Sequence, residues 1–371
     1  MRITCPFKIP PPQPDNQISA PSPQNAQAKF DSEGFDIIEG EYIVIFKNQF
    51  DSVFSDQVAR KVDQVRQEVQ SRHQIKDETI LSRWRRTTKG FAAKLDSSQV
   101  NNLKNDPLVA SVTPNIYGRI GISNSTLYES KKEENLNENA QAGGQILPWG
   151  VERVRGPYDG TGKRAWILDT GIDFNHPDLN VDVTSSNSFI AGEDANDLNG
   201  HGTHVAGILA AIDNDIDVVG VAAGATVIPV KVCNQFGDCP KNSFLDGIEY
   251  VTENANPHDI VNVSLWWPAD SDIDNAVISA ASHSIPFTLI AGNNGGNANN
   301  YSPGRATHYN IKTISAFDED DIFAPFSNFG NPPINFSSPG VDILSTSVAN
   351  GIVLRVGKLV CVPEHPWLHL I

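Results

Sequence analysis

Three short segments of this chain set side chains that can move a proton or meet a negative charge beside glycines, which leave room for another backbone. Asp169 ends the apolar run 165–168 and is followed by Thr170, Gly171, Ile172 and Asp173. A carboxylate at a strand end can be buried and aimed at a partner; an Asp-Thr-Gly turn without chemistry is the alternative. His201 lies in Asn199-Gly-His-Gly-Thr-His-Val-Ala-Gly207, and the apolar residues Val205, Ile208, Leu209 and Ile212 recur at helical spacing. That places an imidazole, the group suited to proton transfer near neutral pH, at a helix start. His201 and His204 lack the nearby carboxylate of a zinc-peptidase helix, so their spacing argues against a metal pair. Asn293, in Ala291-Gly-Asn-Asn-Gly295, closes the run 286–291. Its amide can donate to a developing oxyanion, and an ordinary Asn-Gly turn is the alternative.

The elements that must hold these residues follow from periodicity. Residues 165–168, 227–232, 260–265, 286–291 and 311–316 are near-continuous apolar runs, separated by helical patterns such as Phe244, Ile248 and Val251. Such runs predict an α/β fold, a parallel sheet with helices on both faces, whose working residues sit at the carboxyl ends of strands. Ahead of it, 42–46 reads as a strand and Val58, Val62, Val65 and Val69 as one face of a helix. Strands at 80–84 and 90–95, a helix at 97–104 and a strand at 110–113 complete a small ferredoxin-like α+β domain. The chain thus divides into a disordered leader over 1–40, a small domain over 41–114, an exposed cleavable linker over 115–144, a large domain over 145–355 and a tail over 356–371.

Composition narrows the partners. With 44 acidic against 28 basic residues the net charge is -16, which repels nucleic acid and anionic membranes. No run approaches the roughly 18 apolar residues of a membrane span. The N-terminus carries a basic residue but no apolar core of a signal peptide. Cys233 and Cys239 lie close enough in sequence to bridge a small loop, two free thiols being the alternative.

Taken together, Asp169-Thr-Gly, His201-Gly-Thr-His-Val-Ala-Gly207 and Ala291-Gly-Asn293 resemble, in order and spacing, the subtilisin-like serine peptidases. The resemblance extends over 145–346. The small domain is similar to the inhibitory propeptide of that family, through Tyr42-Ile-Val-Ile-Phe-Lys47 and Gly90-Phe-Ala-Ala-Lys-Leu95. The resemblance implies that Asp169 orients the imidazole of His201, that His201 is the general base toward a serine, and that Asn293 donates into the oxyanion hole. It places Ser264, Leu265 and Trp266 in the substrate cleft. It also implies a structural calcium ion held by Gln145, Asp178, Asn214 and the carbonyls of Ile212, Ile216 and Val218, all oxygen donors; a solvated acidic loop over 213–217 is the alternative. A protein or peptide substrate, a propeptide acting as intramolecular inhibitor, a monomer and a secretory route belong to the same expectation.

The sequence departs from that family twice. Ser264-Leu-Trp-Trp267 stands where the family has Ser-Leu-Gly-Gly, so Trp266 and Trp267 are expected to narrow or cover the cleft. Residues 336–346 match, but where the family continues to Gly-Thr-Ser-Met-Ala, alignment of Gly357 puts Leu359 at the nucleophile's place. The expectation is a serine endopeptidase precursor, truncated before its nucleophile and inactive as written. The alternative is a non-catalytic relative that binds peptides or inhibits a protease.

Overall fold

The computed structural model describes residues 36–48, 50, 55–121, 144–349 and 351–355. The leader up to residue 35, positions 122–143 of the expected linker and the tail over 356–371, with Leu359, lie outside the described residues.

The N-terminal unit runs β1 (Ile37–Phe46), α1 (Asp56–Arg72), β2 (Ile80–Trp84), β3 (Gly90–Lys94), α2 (Ser97–Leu103) and β4 (Val109–Ile120). Helix α1 begins where the Ser55 hydroxyl accepts from the Val58 N–H, and its Val58, Val62, Val65 and Val69 are buried as the spacing predicts. A reciprocal cap between Asp96 and Gln99 starts α2. The strands form an antiparallel sheet in the order β4-β1-β3-β2, and the helix valines share a core with Val44, Phe91 and Val112. This is the ferredoxin-like order.

The linker does not begin at residue 115. Strand β4 continues to Ile120, and Asn115 is fully buried. Its last residues pair on both sides with strands of the large unit, so backbone hydrogen bonds fix a segment that has no apolar period to announce it.

The large unit runs α3 (Trp149–Arg153), β5 (Tyr158–Asp159), β6 (Arg164–Asp169), β7 (Asn180–Val181), β8 (Asn187–Ser188), α4 (His201–Ala210), β9 (Ala222–Ala223), β10 (Thr226–Lys231), β11 (Asp238–Pro240) and α5 (Lys241–Asn254). It continues through β12 (Ile260–Val263), β13 (Leu265–Pro268), α6 (Ser271–Ala281), β14 (Phe287–Ile290), β15 (Tyr301–Ser302), β16 (Ile311–Phe317), β17 (Ile334–Pro339), β18 (Ile343–Ser347) and β19 (Gly351–Arg355). The central sheet has the order β17-β16-β14-β12-β6-β10-β7, with parallel pairing throughout. The five apolar runs are its five inner strands. Every residue of α4 is buried, which is why its apolar pattern surrounds the helix rather than lining one face.

The two units meet along α5. Asp246, Glu249 and Glu253 fall on one face of that helix. Asp246 accepts from the Ser82 hydroxyl at 2.6 Å and the Trp84 indole at 2.7 Å. Glu249 accepts from the backbone N–H groups of Arg85, Arg86 and Thr87 and from the Thr87 hydroxyl, while Arg86 reaches Glu253. Asn115 and Asn242 exchange hydrogen bonds beside them.

Candidate active site

Asp169 is the last residue of β6, and the β6–α4 connection brings it under the first turn of α4. His201 Nδ1 lies 2.6 Å from Asp169 Oδ1, and the carboxylate is fully buried. A bond from Nδ1–H to the carboxylate fixes the tautomer and leaves Nε2 with the lone pair that accepts a proton. Close approach of α4 to the strand end depends on Gly202. A Cβ there would lie 2.0 Å from the Gly171 carbonyl oxygen and 3.1 Å from Asp169 Cβ, and Gly171 itself has φ of 104°.

Asp197 was not singled out by sequence, yet it organises the approach. Its Oδ1 accepts from the Thr170 hydroxyl and the N–H groups of Asn199 and Gly200; its Oδ2 accepts from the N–H and hydroxyl of Thr203. The Thr170 oxygen in turn accepts from the Gly202 N–H. An acid just ahead of a helix start was the available signal. Asp197→Ala leaves five donors without their acceptor, so a loss of stability on the order of 3 kcal/mol is expected, read as a fall in the denaturation midpoint. An unchanged midpoint would show that water replaces the carboxylate. Lys231 is a second such residue. Fully buried, its ammonium donates to the carbonyls of Thr170 and Asn196 and pairs with Glu193 at 3.0 Å.

His204 has a different partner from His201: its Nε2 meets the Ile343 carbonyl at 3.0 Å. Burial, and then the charge of Arg355, push its pKa down to about 3, so it stays neutral and structural. Arg355 was also missed. The β18–β19 hairpin, anchored by hydroxyls of Ser345 and Thr346 on the carbonyls of His204 and Thr203, carries its guanidinium to 2.9 Å from where a Gly200 Cβ would lie. Burial lowers the Arg355 pKa, opposed by Asp197 and Asp169.

Asn293 follows β14, and its side-chain amide donates to the Gly121 carbonyl. Gly121 N–H donates to the Ser264 carbonyl at 2.8 Å. Upstream, Ile120 pairs with Leu265, Arg119 with Trp266 and Asp238, and Gly118 with Cys239. The end of β4 therefore lies as an extended strand in a groove walled by β13 on one side and β11 on the other. Trp266 is half-buried, edge-on to Tyr301, whereas Trp267 is fully buried against Phe244. Cys233 and Cys239 form a disulfide, closing the loop that leads into β11.

The residues expected to hold calcium also converge. Gln145 Nε2 lies 2.6 Å from the Ile212 carbonyl, 3.1 Å from that of Val218, 3.3 Å from Asn214 Oδ1 and 3.5 Å from the Ile216 carbonyl. Asp178 is fully buried, and burial first, with Asp217 adding, raises its pKa to about 6. Among the described residues no cluster of three His, Cys, Asp or Glu side chains stands in metal-binding array.

A buried carboxylate–imidazole pair, a strand-binding groove and an amide aimed at the Gly121 carbonyl match, the nucleophile apart, the parts a peptide-bond hydrolase of the serine type uses. The subtilase family profile matches residues 165–354, and the peptidase inhibitor I9 profile matches residues 41–119. The chain is 37% identical over 210 residues to Subtilisin Savinase of Lederbergia lenta, covering 54% of this chain and 75% of that protein. It is 36% identical over 256 residues to a thermostable alkaline protease of Halalkalibacterium halodurans, covering 66% and 68%. It spans 53% of the length of an alkaline protease of Shouchella clausii at 37% identity. A solved cold-adapted subtilisin-like serine proteinase superposes with a TM-score of 0.53 at 28% identity, covering 60% of this chain and 82% of the other. The chain belongs to the subtilase family, with an I9 inhibitor domain ahead of the peptidase domain.

Proposed function

We propose that this chain is the precursor form of a secreted serine endopeptidase in which Asp169 and His201 are the acid–base pair, Asn293 supplies an oxyanion donor, and the N-terminal unit is the intramolecular inhibitor. The observation that carries the reading is the Gly121 carbonyl, held by Asn293 at the end of a strand threaded between β11 and β13. A carbonyl so held is polarised for attack, and His201 Nε2 is free to take the proton of the attacking hydroxyl and pass it to the leaving amine. The bond following Gly121 is therefore the processing bond. The Cys233–Cys239 disulfide suits an oxidising compartment.

Among the described residues no hydroxyl or thiol is bonded to His201 Nε2, and aligning Gly357 with the family's glycine would put Leu359 at the nucleophile's place. That single position favours the second reading, a peptide-binding relative without catalysis. Sequencing the native transcript from the codon of Gly340, followed by mass analysis of its purified product, separates the two. Continuation near Arg355 into Gly-Thr-Ser, with release of a fragment ending at Gly121 that His201→Ala abolishes, is the expected result. A transcript ending at Ile371 and a product that never releases the fragment leave only the binding reading.

The ring of oxygens around Gln145 fits a hard cation. A side-chain amide can present either its N–H or its oxygen, and turning the Gln145 amide adds a further oxygen to the carbonyls of Ile212, Ile216 and Val218, Asn214 Oδ1 and the buried Asp178. A bound calcium ion would tie the loop after α4 to the segment entering α3. Calcium at a hundredfold over its Kd should add about 2.7 kcal/mol of stability, read as a higher Tm. A Tm indifferent to both calcium and chelator counts against the site.

A further inference from the structure

We propose that Trp267 is a specificity-determining residue, filling the space that a side chain would occupy three residues upstream of the carbonyl held by Asn293, so that the groove admits polypeptide segments with glycine at that place. This rests on the reading that the end of β4 lies in the groove as a substrate strand does. In the bound strand that place is Gly118. A Cβ built there would fall 2.1 Å from Trp267 Cε2 and 2.5 Å from Cδ2 and Nε1, inside the van der Waals envelope of the ring. Backbone geometry does not impose the glycine, because Gly118 is not among the residues with positive φ. The obstacle is the indole itself.

The indole is not free to step aside. Trp267 is fully buried, its ring lies 4.7 Å from that of Phe244, and both belong to the main core cluster. Its strand is pinned on both edges, to β4 through Trp266 and Leu265 and to β15 through the Trp267–Ser302 pair. Turning the ring out would open a cavity among close-packed side chains. Space at Gly121 is also limited, with a Cβ 2.9 Å from the Ser264 carbonyl oxygen and 3.1 Å from Ile290 Cδ1. There the nearest atom is a backbone oxygen, which cannot swing aside, but the overlap is smaller than the 2.1 Å approach at Gly118. The groove thus selects Gly-x-x-Gly or Gly-x-x-small, the first glycine being required.

The test is hydrogen exchange on the full chain, reading the Gly121 N–H, whose acceptor is Ser264. In the unsubstituted chain this amide should be protected; free exchange there would overturn the occupied-groove reading itself. Gly118→Ala should lower the protection about tenfold and Gly118→Leu further, as overpacking a tight site does. Pairing Gly118→Leu with Trp267→Ala should restore it. Full protection in Gly118→Leu, with the groove occupied in the parent chain, overturns the assignment of Trp267. Should Trp267→Ala not fold, the graded loss from Gly118 through Ala to Leu carries the same decision.

Discussion

Replacing Glu249 with alanine is expected to weaken docking of the inhibitor unit on the peptidase domain by on the order of 4 kcal/mol, about a thousandfold. One carboxylate receives four hydrogen bonds from the turn after β2: Arg85 N–H and Arg86 N–H at 2.7 Å, Thr87 N–H at 2.9 Å and the Thr87 hydroxyl at 2.7 Å. Bonds to an ionised acceptor each contribute about 1.5–3 kcal/mol and are not additive within one cluster. Deletion removes the acceptor of both Thr87 donors, and Thr87 is buried. Glu249→Gln should lose nearly as much, since its amide nitrogen would face two donors. Hydrogen exchange of the Arg85 to Thr87 amides reads the contact directly. Retained protection in Glu249→Ala would show that the turn is held by its own strand and not by the helix.

Docking should also weaken as pH rises from about 4 to 7. Although Asp246 keeps some accessible surface, both its oxygens are engaged by Ser82 and Trp84, and burial raises its pKa from 3.8 to about 7, with Glu249 adding to the rise. Undocking returns the carboxyl to water and to its ordinary value. The protonated form is thus favoured in the docked state, and docking is strongest below the undocked pKa. Its advantage is lost between about 4 and 7 and is gone above 7, a change on the order of 2–4 kcal/mol after allowance for residual solvent. The groups facing Asp246 are neutral Ser82 and Trp84 from β2 and Glu249 one turn along α5; the Arg85 and Arg86 side chains are engaged by Asp63 and Glu253. Asp246→Asn, uncharged throughout, should flatten the profile. Exchange protection of the Ser82 to Trp84 segment across pH measures both chains, and parallel slopes for the two would assign the pH dependence elsewhere.

These predictions concern an interface that no sequence pattern announced. The period of Phe244, Ile248 and Val251 marks the helix, but the spacing of its acids is what a solvated helix face would also show. Only docking of β2 against that face turns them into acceptors. Likewise, 115–120 lacks an apolar period and reads as linker, since a strand held on both edges by backbone bonds needs none. Where alternatives were left open, the disulfide between Cys233 and Cys239 is formed, and its six-residue separation was compatible with either state.

What the sequence by itself determined was whatever is written in short-range period and in residue type at strand ends. Five apolar runs specified the inner strands of the parallel sheet, valines at helical spacing specified α1, and Asp169, His201 and Asn293 stood where such a sheet exposes its working ends. What only the tertiary structure decided was which segments meet. The threading of 117–121 between β11 and β13, the filling of the groove by Trp267, the five-donor role of Asp197 and the approach of Arg355 all join residues far apart in the chain. Local period carries no information about such pairs, because their contact depends on the sum of every turn and packing choice between them.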